Sequence, residues 1–286
     1  MILSRRKLFC EYSPLCYRIA LEKEILRKRL RDYRSRLQIA RRRQSESLPV
    51  LVKGHRSPVL RRLVGVDMAL QENKGINLAL AAAEIDGVVV APGETFSFWA
   101  LVGQPTVRRG FVPGLALGGG RLQTAVGGGL CQLANLIHYL VLHSPLTVTE
   151  LHHHTDALFP DDRRRVPFGT GTSVFCPHLD YRFINSTSQP VQIRVWLSEG
   201  DLCGELRAET PFLCRYRLAE VGHCFVQEED GWYRVSQVYR RSFDRATGLQ
   251  TGEELILDNH SRVLYDPALI PPEEIAPREE ISHASG

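Results

Sequence analysis

The chain has 286 residues, of which 43% are hydrophobic, 24% charged and 8% aromatic. This composition excludes a chain that is disordered throughout, because enough apolar surface is available for a sizeable core. A membrane-spanning helix and a secretory signal are also not expected, since charged residues interrupt the long apolar runs that either would need. The sequence therefore predicts a soluble, cytoplasmic protein of one or two domains.

The net charge of +4 is distributed unevenly along the chain. The first 62 residues contain 18 Lys and Arg against 5 Asp and Glu, so a basic arm precedes an acidic body. Residues 19–43 have the apolar spacing of an amphipathic helix, with one stripe formed by Ile19, Leu26, Leu30, Tyr33, Leu37 and Ala40. We interpret this helix either as packed on its own body or as weakly bound to an anionic membrane surface, at the inner face of the membrane. Nucleic acid is not expected as a partner, because no known binding motif accompanies the charge.

The elements that follow predict an α+β fold with a single main domain. A polar connector covers 44–62, a helix runs from Lys74 to about 86, and an apolar strand covers 88–90. A glycine turn at 118–120 predicts a hairpin, and residues 130–143 predict a helix that is apolar nearly all round and therefore buried. Strands are predicted at 146–154, 179–184, 191–197 and 202–207, with weaker candidates at 232–240 and 255–257.

These elements suggest a buried central helix against a mostly antiparallel sheet, with the basic helix appended. We divide the chain into a basic arm and connector (1–59), a main domain (60–265) and a disordered tail rich in acidic residues and proline (266–286).

A glycine run directly precedes a cysteine at the start of the predicted central helix. Gly127, Gly128 and Gly129 permit unusual backbone angles and the close approach of another chain or a ligand. The first turn of a helix is electropositive, so a thiolate at Cys131 is expected to be favoured, with its pKa below the free value. The side chain of Gln132 and the free N–H groups of that turn could bind an oxyanion.

The strand predicted at 146–154 supplies candidate partners for this thiol. Side chains alternate along a strand, so Glu150, His152 and His154 share one face. One hypothesis is a thiol nucleophile at Cys131 with His152 or His154 as general base, oriented by Glu150 or Asp156. The alternative is a metal site in which residues 152–154 bind Zn²⁺ together with Cys131, His138 or His143. No cofactor is assigned, because two ligands on one strand are a weak zinc signal.

A hypothesis of another class is a binding module without turnover. In it Phe96, Phe98 and Trp99 line the binding site and Cys131 is only packed. The competing interpretation places these aromatic side chains in the core.

Several ordered motifs carry a resemblance to a known family. They are residues 91–99 (APGETFSFW), 127–133 (GGGLCQL), 143–146 (HSPL), 150–154 (ELHHH) and 167–172 (PFGTGT), with 71–74 (QENK) upstream. These motifs resemble the VanW family over residues 60–205. The family pattern at the histidines is Glu-Arg-His-x-His, so His152 and His154 fall on its two histidines and Leu151 stands where it has Arg.

The VanW family is named for an accessory protein of vancomycin B-type resistance. The resemblance implies a cell-envelope or glycopeptide-response context and does not by itself imply a reaction. The sequence therefore leaves two hypotheses: a thiol-dependent acyl-transfer or amide-cleaving enzyme acting on a peptidoglycan peptide or precursor, and a module that only binds such a ligand.

Overall fold

The computed structural model describes residues 8–60, 68–118, 121–153, 156–157, 160, 166–167 and 169–276. Within them the helices are α1 (Pro14–Arg34), α2 (Met68–Ile85), α3 (Phe98–Val102) and α4 (Cys131–Leu142). The strands are β1 (Val50–Pro58), β2 (Val88–Val90), β3 (Thr95–Ser97), β4 (Pro113–Gly118), β5 (Arg121–Val126), β6 (Thr147–Glu150), β7 (Asp156–Ala157), β8 (Arg182–Ile184), β9 (Val191–Ser198), β10 (Asp201–Ala208), β11 (Cys214–Glu228), β12 (Gly231–Asp244) and β13 (Gln250–Val263).

The strands form four sheets. A central sheet has the order β1-β10-β9-β2, a second has β3-β8-β6, a third is the hairpin β4-β5, and the fourth has β11-β12-β13-β7. Neighbouring strands are antiparallel in every described pair except β13 with β7. The predicted α+β class with a mostly antiparallel sheet is confirmed.

Helix α4 lies in the main core, as its all-round apolar sequence predicts. Leu133, Ile137 and Leu140 are fully buried. The helix packs closely on β10, where a Cβ at Gly204 would come within 2.8 Å of the Leu136 side chain. This contact holds the middle of α4, which begins at Cys131, against the central sheet.

The basic helix is shorter than the apolar spacing predicts. It begins after Ser13, whose hydroxyl oxygen accepts a hydrogen bond from the Cys16 N–H, and it ends at Arg34 instead of 43. The following residues are extended: Ala40 donates its N–H to Thr95 O (3.0 Å), and its side chain is buried. Ala40 continues the helical stripe in sequence, but the core uses it beside β3, so tertiary packing overrides the local pattern.

Three further segments differ from the sequence predictions. The connector predicted at 44–62 contains β1, which pairs along its length with β10 in the central sheet. Strand β11 was not predicted, because much of its length is exposed and its polar and apolar residues do not alternate cleanly. The tail predicted from 266 is packed as far as 276, where the Ala276 N–H bonds to Phe225 O and Ile270 is buried.

Candidate functional site

The glycine run before α4 serves close packing of the chain on itself. A Cβ at Gly128 would lie 2.2 Å from the backbone of Gly114 in β4, and one at Gly129 would lie 2.2 Å from the Lys74 side chain. Gly127 and Gly129 also have backbone φ angles of +79° and +94°, which residues other than glycine rarely adopt. A Cβ at Gly127 would lie 2.6 Å from the Pro105 side chain, so the space expected for a ligand at Gly127, Gly128 and Gly129 is filled by Pro105, β4 and α2.

The surroundings of the Cys131 thiol raise its pKa, whereas an activated nucleophile needs a lowered one. Its Sγ is 3.7 Å from the carbonyl oxygen of Val174, and burial raises the pKa of the thiol. The N–H groups of the first turn are already used: Gln132 N bonds to Gly129 O and Leu133 N to Leu130 O, both at 3.1 Å. Burial outweighs the backbone hydrogen bonds at Val174 and at Cys131 itself, which act to lower the pKa of the thiol, so the expected favoured thiolate is not found.

Gln132 also has a structural partner. Its side-chain amide donates to the hydroxyl of Ser57 and to the carbonyl of Pro58, each at 2.9 Å. These bonds tie the first turn of α4 to the end of β1, so the amide faces β1 and is not free to bind an oxyanion.

The histidine motif lies past the end of a strand. Strand β6 ends at Glu150, so the strand-face argument for 152 and 154 does not apply; His154 lies outside the described residues. The His152 ring is 3.2 Å from Glu150 Oε1. Ser173 N bonds to His152 O (2.7 Å), so the segment that contacts Cys131 also contacts His152. Among the described residues, no hydrogen bond joins Cys131 to the His152 ring.

The next histidine points to another partner. His153 Nδ1 is 3.2 Å from the carbonyl oxygen of Gly169. His138 is buried against the Tyr181 hydroxyl (3.2 Å), and burial lowers its pKa to about 3. Within the part of the chain that the structure describes, no group of three or more His, Cys, Asp or Glu side chains is arranged to hold a metal ion.

The predicted aromatic binding residues lie in the core. Phe96 is fully buried and stacks on Phe183, with ring centroids 4.9 Å apart. The Trp99 side chain is also buried, and its indole N–H donates to Leu179 O at 2.8 Å. Trp99 contributes to the site through its backbone, because its N–H donates to a carboxylate that the sequence analysis missed.

That carboxylate is Asp180, which is 0% exposed. Its Oδ1 accepts the N–H groups of Trp99 and Tyr181 (3.0 Å each), and its Oδ2 accepts the Ser97 hydroxyl (2.6 Å) and Arg182 Nε (2.8 Å). Burial by itself would raise the pKa of this carboxyl. A lysine from α1 and these hydrogen bonds hold the pKa below its usual range, so Asp180 is ionised at neutral pH.

Arg182 connects this aspartate to the histidine motif. Its Nε lies 3.2 Å from Glu150 Oε2, while Glu150 Oε1 accepts the Asp180 N–H at 3.0 Å. A cation therefore lies beside Glu150 although Leu151 stands where the family has Arg. We call Glu150, His152, Asp180 and Arg182 the charged cluster.

Helix α1 covers the charged cluster with two side chains one helical turn apart. Lys28 Nζ is 2.9 Å from Asp180 Oδ2 and donates to Pro177 O at 3.4 Å. The Asp32 carboxylate accepts both terminal nitrogens of Arg182, each at 2.8 Å. We call Lys28 and Asp32 the latch. It could have been suspected from sequence, since Asp32 is the one acidic residue between 25 and 45.

The apolar stripe of α1 faces away from the body. Ile19, Leu26 and Tyr33 are 51%, 58% and 83% exposed. The docked face carries Lys28 and Asp32 together with Leu21 and Ile25, which are half-buried. No helix among the described residues combines the length and apolar character that crossing a bilayer requires.

Comparisons with known proteins agree with the motifs. A family model described as "VanW like protein" matches residues 73–207. The Vancomycin B-type resistance protein VanW of Enterococcus faecalis is 31% identical over 220 residues, which cover 77% of this chain and 80% of that protein. The uncharacterized protein YoaR of Bacillus subtilis is 33% identical over 123 residues, which cover 43% of this chain and 39% of YoaR. No solved structure gives a significant match.

Proposed function

The chain belongs to the VanW family, and we propose that it is a recognition module that binds a peptidoglycan peptide or precursor by its carboxylate, without turnover. The context is a cell-envelope response to glycopeptides, by analogy with the Enterococcus relative named for vancomycin B-type resistance. The charged cluster is the binding site, and Arg182 is the residue that contacts the ligand.

One observation carries this proposal: the guanidinium of Arg182 is held by carboxylates at its Nε, and the edge formed by its two terminal nitrogens is arranged to bind a carboxylate. Asp180 and Glu150 hold Nε, while the two terminal nitrogens bind the carboxylate of Asp32 in the bidentate geometry that arginine favours. Peptidoglycan stem peptides end in a carboxylate, which is the chemical group this edge accepts.

Binding without turnover is favoured over the thiol-enzyme hypothesis by the surroundings of Cys131. The thiol has a raised pKa, its helix turn is closed by backbone hydrogen bonds, and the amide of Gln132 is used by β1. An enzyme of this class needs the opposite: a favoured thiolate, free donors and a histidine in hydrogen-bond reach.

The test is a binding titration with a synthetic stem pentapeptide that has a free carboxylate and the same peptide as its C-terminal amide. Because Asp32 occupies the edge of Arg182, both the unaltered chain and Asp32→Asn are measured. We expect the acid to bind at least about tenfold more tightly than the amide, since a charge-assisted bidentate pair is lost in the amide. Equal affinities would contradict the proposal.

Two variants separate the roles of arginine and thiol in the same titration. Arg182→Lys keeps the charge and loses the fork, so it is expected to remove the preference for the acid. Arg194→Lys is the matched control. Arg194 lies on β9, away from the site, and makes a comparable two-nitrogen pair with the carboxylate of Asp86. Cys131→Ser is expected to leave binding unchanged; peptide cleavage by the unaltered chain that Cys131→Ser lacks would establish the enzyme instead.

The exposed stripe of α1 supports a second role, weak contact with an anionic membrane surface. Arginines flank an apolar stripe that faces solvent, the arrangement of a helix lying at a bilayer surface. We expect co-sedimentation with anionic vesicles at low salt, and its loss in Leu26→Gln/Leu30→Gln. Leu213→Gln/Leu249→Gln changes two exposed leucines of the body and is the control. Equal sedimentation of both variants, or no dependence on salt, would exclude this contact.

A further inference from the structure

We infer that Asp180 and Arg182 form a site for a zwitterionic ligand, which carries an ammonium and a carboxylate, and that α1 fills this site from within the chain. The latch provides the two groups: the ammonium of Lys28 on Asp180 and the carboxylate of Asp32 on Arg182. The inference rests on the proposed function, because the carboxylate subsite is the same, and adds an ammonium subsite and a competing occupant.

The ammonium subsite is defined by two oxygens of the body. Lys28 Nζ lies 2.9 Å from Asp180 Oδ2 and 3.4 Å from the carbonyl oxygen of Pro177. Asp180 Oδ2 also accepts Arg182 Nε, so one oxygen atom adjoins both subsites. A ligand that matches the latch therefore needs its two charges close together, on a linker that can follow this turn.

The body alone preorganises the site. Asp180 is held by Ser97, Trp99 and Tyr181, none of which belongs to α1. Arg182 keeps Glu150 and Asp180 as partners of its Nε when Asp32 leaves. Removal of α1 would thus leave a carboxylate and a guanidinium edge in fixed positions, each lacking one charged partner.

The docking of α1 has the character of a replaceable contact. Among the described residues, only Lys28 and Asp32 link α1 to the body by hydrogen bonds or ion pairs. Leu21 and Ile25 are half-buried, and none of the apolar side chains described on α1 is fully buried, so little apolar burial holds the helix in place. A free ligand that offers the same two charges competes with the latch directly. Its apparent affinity equals its affinity for the open site multiplied by the fraction of molecules in which the site is open.

The experiment uses small probes on the full chain. 6-Aminohexanoate carries both charges, whereas hexanoate and hexylamine each carry one; binding is followed by NMR titration. The latch is opened in Lys28→Met/Asp32→Asn. The matched control is Arg27→Met/Glu24→Gln, which removes one cation and one anion from an ion pair that lies wholly on α1.

We expect 6-aminohexanoate to bind the opened-latch variant at least about tenfold more tightly than the unaltered chain or the control variant. Hexanoate and hexylamine should each bind the opened-latch variant at least about tenfold more weakly than 6-aminohexanoate. Equal affinity in all three proteins would overturn the role of the latch. If hexanoate binds as tightly as 6-aminohexanoate, the ammonium subsite is overturned and carboxylate recognition is left intact. If neither the probes nor the stem pentapeptide bind, both proposals are overturned.

Amide hydrogen exchange supplies an independent readout of displacement. Saturation of the unaltered chain with 6-aminohexanoate is expected to speed exchange across 14–34, because the helix loses its anchor. Exchange in α4 is expected to stay unchanged. Binding that leaves α1 as protected as before would show that the ligand does not compete with the latch.

Discussion

The surroundings of Cys131 and the charged cluster both use the segment 172–182, which supplies Val174 to the first and Asp180 and Arg182 to the second, yet the two regions are built differently. At Cys131 the N–H groups of the first helical turn bond to nearby carbonyl oxygens, and the glycine run makes room for Pro105, β4 and α2. In the charged cluster, the outward groups of Asp180 and Arg182 are met by side chains from a helix about 150 residues away. A sequence motif can therefore serve packing, while the proposed ligand site consists of contacts that only the fold assembles.

The largest expected effect comes from removing the centre of the charged cluster. Asp180→Ala leaves three buried donors, the Ser97 hydroxyl and the N–H groups of Trp99 and Tyr181, without their acceptor and removes one partner of Arg182. The free energy of unfolding should fall by about 3–5 kcal/mol in urea denaturation. Glu253→Gln breaks an exposed ion pair with Arg241 and should cost under about 1 kcal/mol. If Asp180→Ala lowered the free energy of unfolding as little as Glu253→Gln does, the charged cluster would not be a preorganised site.

The glycine run should be nearly as sensitive, for a reason of packing. Gly128→Ala places a Cβ 2.2 Å from the Gly114 backbone, and backbone cannot move aside cheaply. We expect a loss of about 3 kcal/mol in the free energy of unfolding. Gly54→Ala on β1 has its nearest contact at 3.9 Å and should be neutral or slightly stabilising. A stable Gly128→Ala protein would reopen the run as a space for ligand.

A buried histidine on the helix that begins with Cys131 should make stability depend on pH. Burial lowers the pKa of His138 to about 3, so the unfolded state takes up the proton first as the pH falls below about 6.5. Stability should fall by roughly 1.4 kcal/mol per pH unit from there, levelling only below the folded pKa. His138→Gln should lose this part of the dependence between pH 6.5 and 4.5, measured by urea denaturation; parallel profiles would contradict it.

The smallest effect concerns the thiol itself. Because burial raises the pKa of Cys131, its alkylation by iodoacetamide at pH 8 should be several-fold slower in the folded chain than in urea. Peptide mass spectrometry follows this site separately from the other six cysteines. Alkylation of Cys131 that is faster in the folded chain would restore the activated nucleophile.

Much of the scaffold could be predicted from sequence because its signals are local. The apolar density of 130–143 predicts α4, and the valine run predicts β2. The end of α1 and strand β1 were missed, because residues with helical spacing or polar composition are used by the central sheet.

The charged cluster was only half visible in the sequence. Glu150 and His152 stand out in a motif, whereas Asp180 and Arg182 both lie within the strand predicted at 179–184 and belong to no motif. Their link to Lys28 and Asp32 spans about 150 residues and is a property of the fold. Charged residues at the edge of an otherwise apolar strand were the available signal.

The central claim is that Arg182 receives the carboxylate of a ligand in place of Asp32. A crystal structure of Lys28→Met/Asp32→Asn with the stem pentapeptide tests it most directly. We expect both terminal nitrogens of Arg182 to lie within hydrogen-bond distance of the peptide carboxylate, with α1 withdrawn from the charged cluster. A bound peptide whose carboxylate lies elsewhere, or α1 still docked with residue 32 on Arg182, would contradict it.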